Sequence, residues 1–303
     1  MAGARAKGAT IYVTLEPCSH YGRTPPCADL IVESGVERAV IAVVDPNPEV
    51  AGRGLQKLQQ AGIEVITGLC EREASELNEI FFHYVQSKRP YVTLKSATTL
   101  DGKTATVTGK SQWITGKEAR EDVHRYRHEH DAILVGVQTV ISDDPSLTTR
   151  LPQGGKNPIR IVLDRRLRIP ETAKMLNDEE APTWIVTEAT ASLEKQRLLE
   201  QKGASVIRLP AVSITEVLKN LGERNITSLF VEGGAEVHGS FINEKAVQQV
   251  VAYIAPKLFA GRTAPTFAGG DGFSEVNEAL QLELKLVEQI GEDIKIVAKS
   301  KEA

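Results

Sequence analysis

Residues 229–235, Leu229-Phe230-Val231-Glu232-Gly233-Gly234-Ala235, decide the fold class. An apolar run ends in a carboxylate, a glycine pair follows, and a helix-like stretch runs on from Glu236 to Ile242. A strand that turns through glycine straight into a helix is the half-unit of an α/β sheet. The same turn lets backbone N–H groups approach a phosphate at a helix N-terminus, although a simple tight turn reads the same way. A carboxylate ahead of the pair would repel a phosphate. Glu232 therefore suits hydroxyl or amine groups of another ligand.

Outward from this turn, strand-like and helix-like runs alternate along the chain. Ile11–Leu15, Arg38–Val44 and Ile63–Ile66 read as strands, with helices at Ala28–Ser34, ended by Gly35, and at Leu55–Ala61, ended by Gly62. The β-branched run Arg38–Val44 suits a buried parallel strand. Glu71–Gln86 reads as one amphipathic helix, with Leu77, Ile80, Phe81 and Val85 at helical spacing. Ser87-Lys88-Arg89-Pro90 breaks it and marks a domain boundary between residues 1–88 and 89–303. Further strands are expected at Tyr91–Ala97, Ala132–Val135, Ile159–Leu163, Thr183–Thr187, Ser205–Leu209 and Ser228–Val231. Helices are expected at Lys117–His130, Leu193–Gln201 and Ile214–Leu221. Leu280–Val287 and Asp293–Ala298 suit a closing antiparallel pair.

Composition bounds the function. The chain has 303 residues, enough for two domains and a sizeable core, and its 25% charged and 41% hydrophobic content is ordinary for a globular protein. A net charge of −4 gives no global attraction to nucleic acid or anionic membrane, so a phosphate ligand must be held by local groups. Three cysteines, Cys18, Cys27 and Cys70, argue against a disulfide framework and for a reducing compartment. No apolar run approaches the ~20 residues of a membrane span, and no leader is evident, so a cytoplasmic protein is expected.

Four clusters carry candidate chemistry. Cys18 and Cys27 flank Ser19-His20-Tyr21-Gly22-Arg23-Thr24-Pro25-Pro26 and look like half of a metal site. A zinc deaminase site also needs His-x-Glu, and none exists: the residues two after the six histidines are Gly22, Val85, Tyr126, His130, Ala132 and Ser240. Ser142–Arg150 is polar and turn-forming. Either it is a surface loop with an Asx-turn before Pro145, or Asp143 accepts from a ligand hydroxyl while Arg150 pairs with a phosphate. Lys95 lies in a strand-like run ahead of the turn Thr99-Leu100-Asp101-Gly102-Lys103, where it either faces solvent or, if buried, needs a partner. His124, His128 and His130 sit among Glu121, Asp122, Arg125, Arg127 and Glu129 and read as a solvated helix face, with Arg127 kept as an anion contact. Cys70, opening a helix beside Glu71, is expected to be semi-buried.

Taken in order, these motifs resemble the bifunctional riboflavin-biosynthesis deaminase–reductase family. The matching residues are Thr14-Leu15-Glu16-Pro17-Cys18-Ser19-His20 with Pro25-Pro26-Cys27; Asp45-Pro46-Asn47-Pro48 with Val50-Ala51-Gly52-Arg53-Gly54; Leu94-Lys95 with Leu100-Asp101-Gly102-Lys103; Trp113-Ile114-Thr115; Val135-Gly136-Val137 with Thr139-Val140; Asp143 with Pro145-Ser146-Leu147-Thr148; and Val231-Glu232-Gly233-Gly234. The resemblance implies an α/β protein: a truncated cytidine-deaminase-like αβα domain over residues 1–88, then a dihydrofolate-reductase-like α/β domain over 89–303. It further implies that an NADPH-dependent reductase opens the ribosyl group of 5-amino-6-(5-phosphoribosylamino)uracil and reduces it to a ribityl chain.

By the same resemblance Ala97, Trp113, Thr139, Asp143, Thr187 and the run Gly234, Ala235, Glu236, Val237, His238, Gly239, Ser240 would contact NADPH. Lys95, Ser111, Arg127, Leu147, Arg150 and Glu232 would contact the phosphorylated ribosylaminopyrimidine, with Lys95 the candidate catalytic group. Cys18 and Cys27 would be two of three zinc ligands, and His20, Arg23 and Asn47 would line a deaminase pocket. The family's opening strands and its His-Ala-Glu helix have no counterpart here. The expectation is a homo-oligomeric reductase carrying an inactive deaminase half, with Arg38–Val44 deprived of sheet partners and residues 1–88 marginally stable. The competing readings are a non-catalytic or assembly-only fragment, a bifunctional enzyme if another chain supplies the missing segment, and a folate-type reductase acting on a pterin.

Overall fold

A computed structural model describes residues 2–22, 24–47 and 50–301. It divides into two compact units that meet in sequence between Lys88 and Arg89.

The first unit runs β1 (Thr10–Leu15), α1 (Cys27–Ser34), β2 (Arg38–Val43), α2 (Arg53–Gln60), β3 (Glu64–Thr67), α3 (Glu71–Leu77) and α4 (Glu79–Ser87). The three strands form one parallel sheet in the order β1-β2-β3. Contrary to expectation, β2 keeps a partner on each side, and every residue of it after Arg38 is buried. Ala28, Ile31, Ala39, Ile41, Leu58 and Ile63 pack into the core beneath it. The sheet's edges are β1, where Tyr12 is 70% exposed, and β3.

The expected single helix over Glu71–Gln86 is two. Asn78 separates them, its side-chain amide donating to the Ala74 carbonyl at 2.8 Å and competing with the helical ladder. Leu77, read as core, is 73% exposed, and Cys70 is exposed rather than semi-buried.

The second unit opens with β4 (Tyr91–Thr99), α5 (Lys117–Glu129), β5 (Ala132–Gly136), α6 (Val137–Asp143), β6 (Ile159–Leu163) and β7 (Thr183–Glu188). It continues through α7 (Leu193–Gln201), β8 (Ser205–Leu209), α8 (Ile214–Glu223), β9 (Ser228–Gly233), α9 (Ala235–Asn243), β10 (Gln249–Ala255), β11 (Leu282–Ile290) and β12 (Asp293–Ser300). One nine-stranded sheet has the order β11-β12-β10-β4-β9-β5-β6-β7-β8. The seven strands from β10 to β8 are parallel, and β12 and β11 close the other edge antiparallel.

Alternate residues of the central strands feed two cores. Val92, Leu94, Leu134, Leu229 and Val231 face one side, with α8 and Phe241 of α9. Ile133, Val135, Phe230, Val251 and Tyr253 face the other, with Val123 and Tyr126 of α5. Both faces are covered, which is why these strands read as continuous apolar runs.

Candidate substrate and cofactor site

The connection that leaves β4 runs to β5 on one side of the sheet, and the one that leaves β9 runs to β10 on the other. Neighbouring strands whose connections part in this way open a crevice at their carboxyl ends, where α/β sheets bind ligands. Register sets which residues stand there. Leu94 pairs with Val231, so Lys95 and Glu232 follow side by side. On the other flank Leu134 pairs with Val231 but Val135 pairs with Gly233, leaving Glu232 as the extra residue of a bulge. Bulges re-aim side chains, and this one lies under the α5 face of the sheet.

Arg127 of α5 meets Glu232 there. Its Nε donates to Oε1 at 2.6 Å and its Nη2 to Oε2 at 2.9 Å, while Nη1 donates to the Thr148 carbonyl at 3.0 Å. Burial by itself would push the Glu232 carboxyl up. The adjoining Arg127 guanidinium, with Lys95 and His124 adding to it, holds it down to about 2. Three of the five Arg127 donors are thus engaged within the protein, which makes Arg127 the partner of Glu232 and leaves two donors over. Among the described residues, Lys95 has no ion-pair partner within 4 Å. Burial pulls its ammonium below the usual lysine range, Glu232 opposes that, and Arg127 adds to it.

The loop after α6 supplies the next wall. Leu147 has its side chain in the core, 3% exposed, and a left-handed backbone at φ 52°, so it can present only its main chain to a ligand. Arg150 is exposed and lies against His124 of α5. The histidine cluster is split between solvent and core: His128 is exposed, as a solvated face predicts, and His124 is half-buried. His130 is 4% exposed, bridges the Tyr126 carbonyl and Thr93 Oγ1, and packs on Phe230. His128 accepts from the Lys156 N–H.

The glycine turn stands beside this cluster. Gly233 (φ 130°) and Gly234 (φ 81°) both hold backbone conformations that L side chains rarely adopt. A Cβ on Gly234 would sit 3.5 Å from Thr139 Oγ1, and one on Gly136 would strike Val237 at 2.9 Å, so the start of α9 fits closely over the end of β5. This is a cradle of open main-chain groups at a helix N-terminus, the donor set a pyrophosphate takes. Around it, Ala97 and Thr139 are half-buried, and Asp143 and Glu236 are exposed. Trp113 is 63% exposed, with the Arg120 guanidinium 4.8 Å from its ring centre, and Ser111 is half-buried.

Three expected contacts face elsewhere. Thr187 is fully buried, and its hydroxyl donates to the Arg165 carbonyl. His238 turns inward, its Nδ1 2.8 Å from the Phe267 carbonyl. Gly239 is pressed against Gly269, whose carbonyl leaves no room for a side chain. Thr187 and His238 thus direct their side chains into the protein.

In the first unit, the Cys18 carbonyl accepts from the Ala28 N–H at 3.1 Å and the Cys18 Sγ accepts from the Cys27 N–H at 3.3 Å, which joins the two cysteines at the start of α1. Glu16, 3% exposed, receives the N–H groups of Asp45, Gly52, Gly54 and Leu55, and so ties the Asp45–Leu55 segment beside them. His20 is exposed, and the Asn47 N–H bonds to Asp45. Arg23 lies outside the described residues, as does Pro48.

Comparison with known proteins fixes the family. Residues 90–296 match the RibD C-terminal domain, and residues 1–43 match the cytidine and deoxycytidylate deaminase zinc-binding region. The chain is 51% identical over 300 residues to the riboflavin biosynthesis protein RibD of Bacillus amyloliquefaciens, covering 98% of this chain and 81% of that one. The chain belongs to the RibD family of riboflavin-biosynthesis proteins. RibD of Aquifex aeolicus is 50% identical, over 98% of this chain and 82% of its own. Among solved structures, RibD of Acinetobacter baumannii superimposes with a TM-score of 0.87 at 39% identity, covering 99% of this chain and 83% of that one. The Thermotoga maritima protein described as a diaminohydroxyphosphoribosylaminopyrimidine deaminase/5-amino-6-(5-phosphoribosylamino)uracil reductase gives 0.84 at 38%, covering 97% and 80%.

Against that family, the two halves of this chain differ in how far their residues fit the groups implied. The open glycine cradle fits the pyrophosphate of a dinucleotide. Catalytic zinc takes three protein ligands. Cys18 and Cys27 are two, and among the described residues no group of three His, Cys, Asp or Glu stands close enough to hold a metal ion. The described residues of the first unit therefore do not make up a zinc site. No helix among the described residues is long and apolar enough to cross a membrane.

Proposed function

We propose that this chain is the reductase of the pair of activities the family joins: it reduces 5-amino-6-(5-phosphoribosylamino)uracil to the ribityl compound with NADPH, and its deaminase-like half does not deaminate. The observation that carries the reading is the line of Lys95, Glu232 and the Gly233–Gly234 turn at the diverging carboxyl ends of β4 and β9. NADPH, when bound, supplies the electron pair as hydride to the sugar C1.

What this chain contributes is placement. The N–H groups at the start of α9 hold the pyrophosphate, with Thr139, Ala97 and Asp143 as neighbours along the cofactor's path. Glu232, kept ionised by Arg127, accepts from sugar hydroxyls and fixes the ribose against the nicotinamide. Lys95 stands beside it with a lowered ammonium pKa, the direction that suits a proton donor to the ring oxygen released as the sugar opens. The exposed indole of Trp113 and the half-buried Ser111 border the same crevice in this reading.

Silence of the deaminase half is supported by the two-thiol ligand set and by the absence of His-x-Glu from the 303 residues, since metal-activated water needs both a held metal and a group that moves protons. The decisive assay follows NADPH oxidation with the deaminated substrate, and ammonia release with the aminopyrimidine, on one sample of known zinc content. Oxidation without ammonia is the expected result. Ammonia release with stoichiometric zinc would refute the silent half, and no oxidation would refute the reductase.

A further inference from the structure

We propose that Asp101 is a positioning residue of the reductase: its carboxylate locks the loop that leaves β4 to the loop that leaves β10, and so fixes the Ser111–Trp113 segment and the glycine turn at the start of α9 relative to one another around the cofactor. The inference rests on the reductase reading above and deepens it.

Thr99–Lys103 reads in the sequence as a turn, and the turn itself closes without the Asp101 side chain. The Gly102 N–H donates to the Thr99 carbonyl, the Thr99 N–H to the Lys103 carbonyl and the Lys103 N–H to Thr99 Oγ1, each at 2.9 Å. The Asp101 carboxylate reaches across the fold instead. Thr99 Oγ1 donates to its Oδ1 at 2.6 Å and orients it. The Phe259 N–H then donates to the same oxygen at 3.1 Å, and the Ala260 N–H to Oδ2 at 2.7 Å. Phe259 and Ala260 lie in the loop after β10. Thr99 of β4 pairs with Ala255 of the parallel β10, so the two loops leave the sheet side by side at its carboxyl end, where the crevice opens. Hydrogen bonds to an ionised acceptor are roughly twice as strong as neutral ones, and here one carboxylate takes two successive N–H groups of a loop with no strand of its own.

From this lock the contacts run two ways. Two residues before Phe259, Lys257 Nζ donates to the carbonyls of Trp113 and Ile114. Just after Ala260, a Cβ on Gly261 would strike Val107 Cγ1 at 2.6 Å, so the loops are pressed together there. In the other direction, Lys103 Nζ donates to the Ala264 carbonyl at 3.3 Å, and Lys103 and Thr266 form an antiparallel bridge. The Phe267 carbonyl lies against His238, and the Gly269 N–H donates to the Ala235 carbonyl at 2.9 Å. Ala235 opens α9, directly after Gly234. Asp101 therefore joins the segment that bears Ser111 and Trp113 to the segment packed on the pyrophosphate cradle. Lys95 and Glu232 stand on β4 and β9, whose pairing does not pass through it. Loosening the joint weakens the hold on the cofactor and leaves those two groups in place.

The test compares Asp101→Ala, Asp101→Asn and Leu100→Ala with the unaltered chain. It reads NADP+ affinity by fluorescence titration, KM for NADPH and kcat with 5-amino-6-(5-phosphoribosylamino)uracil, and urea unfolding. D101A should weaken NADP+ binding and raise KM about tenfold or more, while kcat at saturating cofactor stays within about threefold. D101N keeps an acceptor for Thr99 and Phe259 but sets its amide against the Ala260 N–H, so its affinity should fall between the two. L100A alters the same turn at a side chain that is 63% exposed and should bind NADP+ as the unaltered chain does. A merely structural turn gives a different split: stability falls, and the molecules that stay folded keep their cofactor affinity. Unchanged affinity in D101A and D101N, a kcat that collapses while KM holds, or an equal loss in L100A overturns the lock and leaves the reductase reading standing. If D101A does not fold, D101N decides. Absence of turnover in an unaltered chain that still binds NADP+ overturns the reductase reading and leaves the affinities to decide the lock, and an unaltered chain that does not bind NADP+ overturns both.

Discussion

Glu232 keeps its charge inside the second unit because Arg127 faces it with two parallel N–H donors, and both side chains are close to fully buried, 10% and 12% exposed. Removing one partner of such a pair leaves the other charge buried and unmatched, which costs about 3–5 kcal/mol. Glu232→Gln should lower the unfolding free energy read from urea titration by that much and abolish reduction; a variant of unchanged stability would contradict the pairing. Arg127→Lys should fare little better, since an ammonium cannot span both carboxylate oxygens. Acid stability follows from the same neighbourhood. The depressed Glu232 pKa, about 2, contributes stability fully present above the unfolded value near 4.3 and lost as pH falls toward 2. His238 acts earlier. Burial holds it down to about 4, so between about pH 6.5 and 4 the unfolded chain binds the extra proton and stability falls as pH falls, by about 3 kcal/mol across that window. Urea titrations at pH 7, 5.5 and 4.5 should show this decline for the second unit, and His238→Phe should flatten it. None of this was legible in the sequence for His124 or His130. Charged neighbours at helical spacing look the same whether the helix faces water or, as here, lays Val123, Tyr126 and His130 on Phe230.

At the scale of the element, α5 is held from a strand far away in sequence. The Asp293 carboxylate accepts from the Gly116 N–H at its start, 2.7 Å away, and Lys295 pairs with the buried Asp122 at 2.6 Å, which also takes the Tyr253 hydroxyl at 2.7 Å. Position 122 lies little more than one turn before Arg127, so β12 and β10 set the depth at which the helix offers Arg127 and His124. Lys295→Met should cost about 3–5 kcal/mol and raise KM, while the double variant Asp122→Leu/Lys295→Met should recover most of the loss, because a buried pair exchanged for apolar residues is often neutral. Additive losses in that cycle would show that the two do not act as a pair. The glycine turn makes the complementary case. Gly234→Ala puts a Cβ on a backbone at φ 81° and 3.5 Å from Thr139 Oγ1, so NADP+ affinity should fall well before stability does, as fluorescence titration would show. Elements of this kind were readable where one signal dominated, as in α1 with its Gly35 stop or the strand before Gly233. They were missed where a contact that leaves no pattern in the sequence decides, far away as at β10 or one turn back as at Asn78. Gln249–Ala255 is β10 because β4 and β12 flank it, and the Glu71–Ser87 stretch divides because Asn78 bonds back to Ala74.

The whole molecule is two units of unequal size, and its unfolding should say so. The boundary at Lys88 gives units of 88 and 215 residues, each with its own sheet. Unfolding enthalpies near 60 °C run at about 0.7 kcal/mol per residue, so calorimetry should resolve transitions of about 60 and 150 kcal/mol. The smaller should melt first. A short domain buries a smaller share of its surface, β1 leaves an open edge, and a structural metal that would add binding energy to folding lacks a complete ligand set among the described residues. Glu16 counters this in part by fixing four N–H groups of the Asp45–Leu55 segment, so Glu16→Ala should lower only the first transition. NADP+ belongs to the second. At a hundred times its Kd it should stabilise that unit by about 2.7 kcal/mol and leave the first where it was, while a zinc chelator should move neither. A first transition that shifts with the dinucleotide, or that collapses with the chelator, would mean that the first unit takes part in cofactor binding or holds its metal after all, and the division of labour argued from the residues would have to be redrawn.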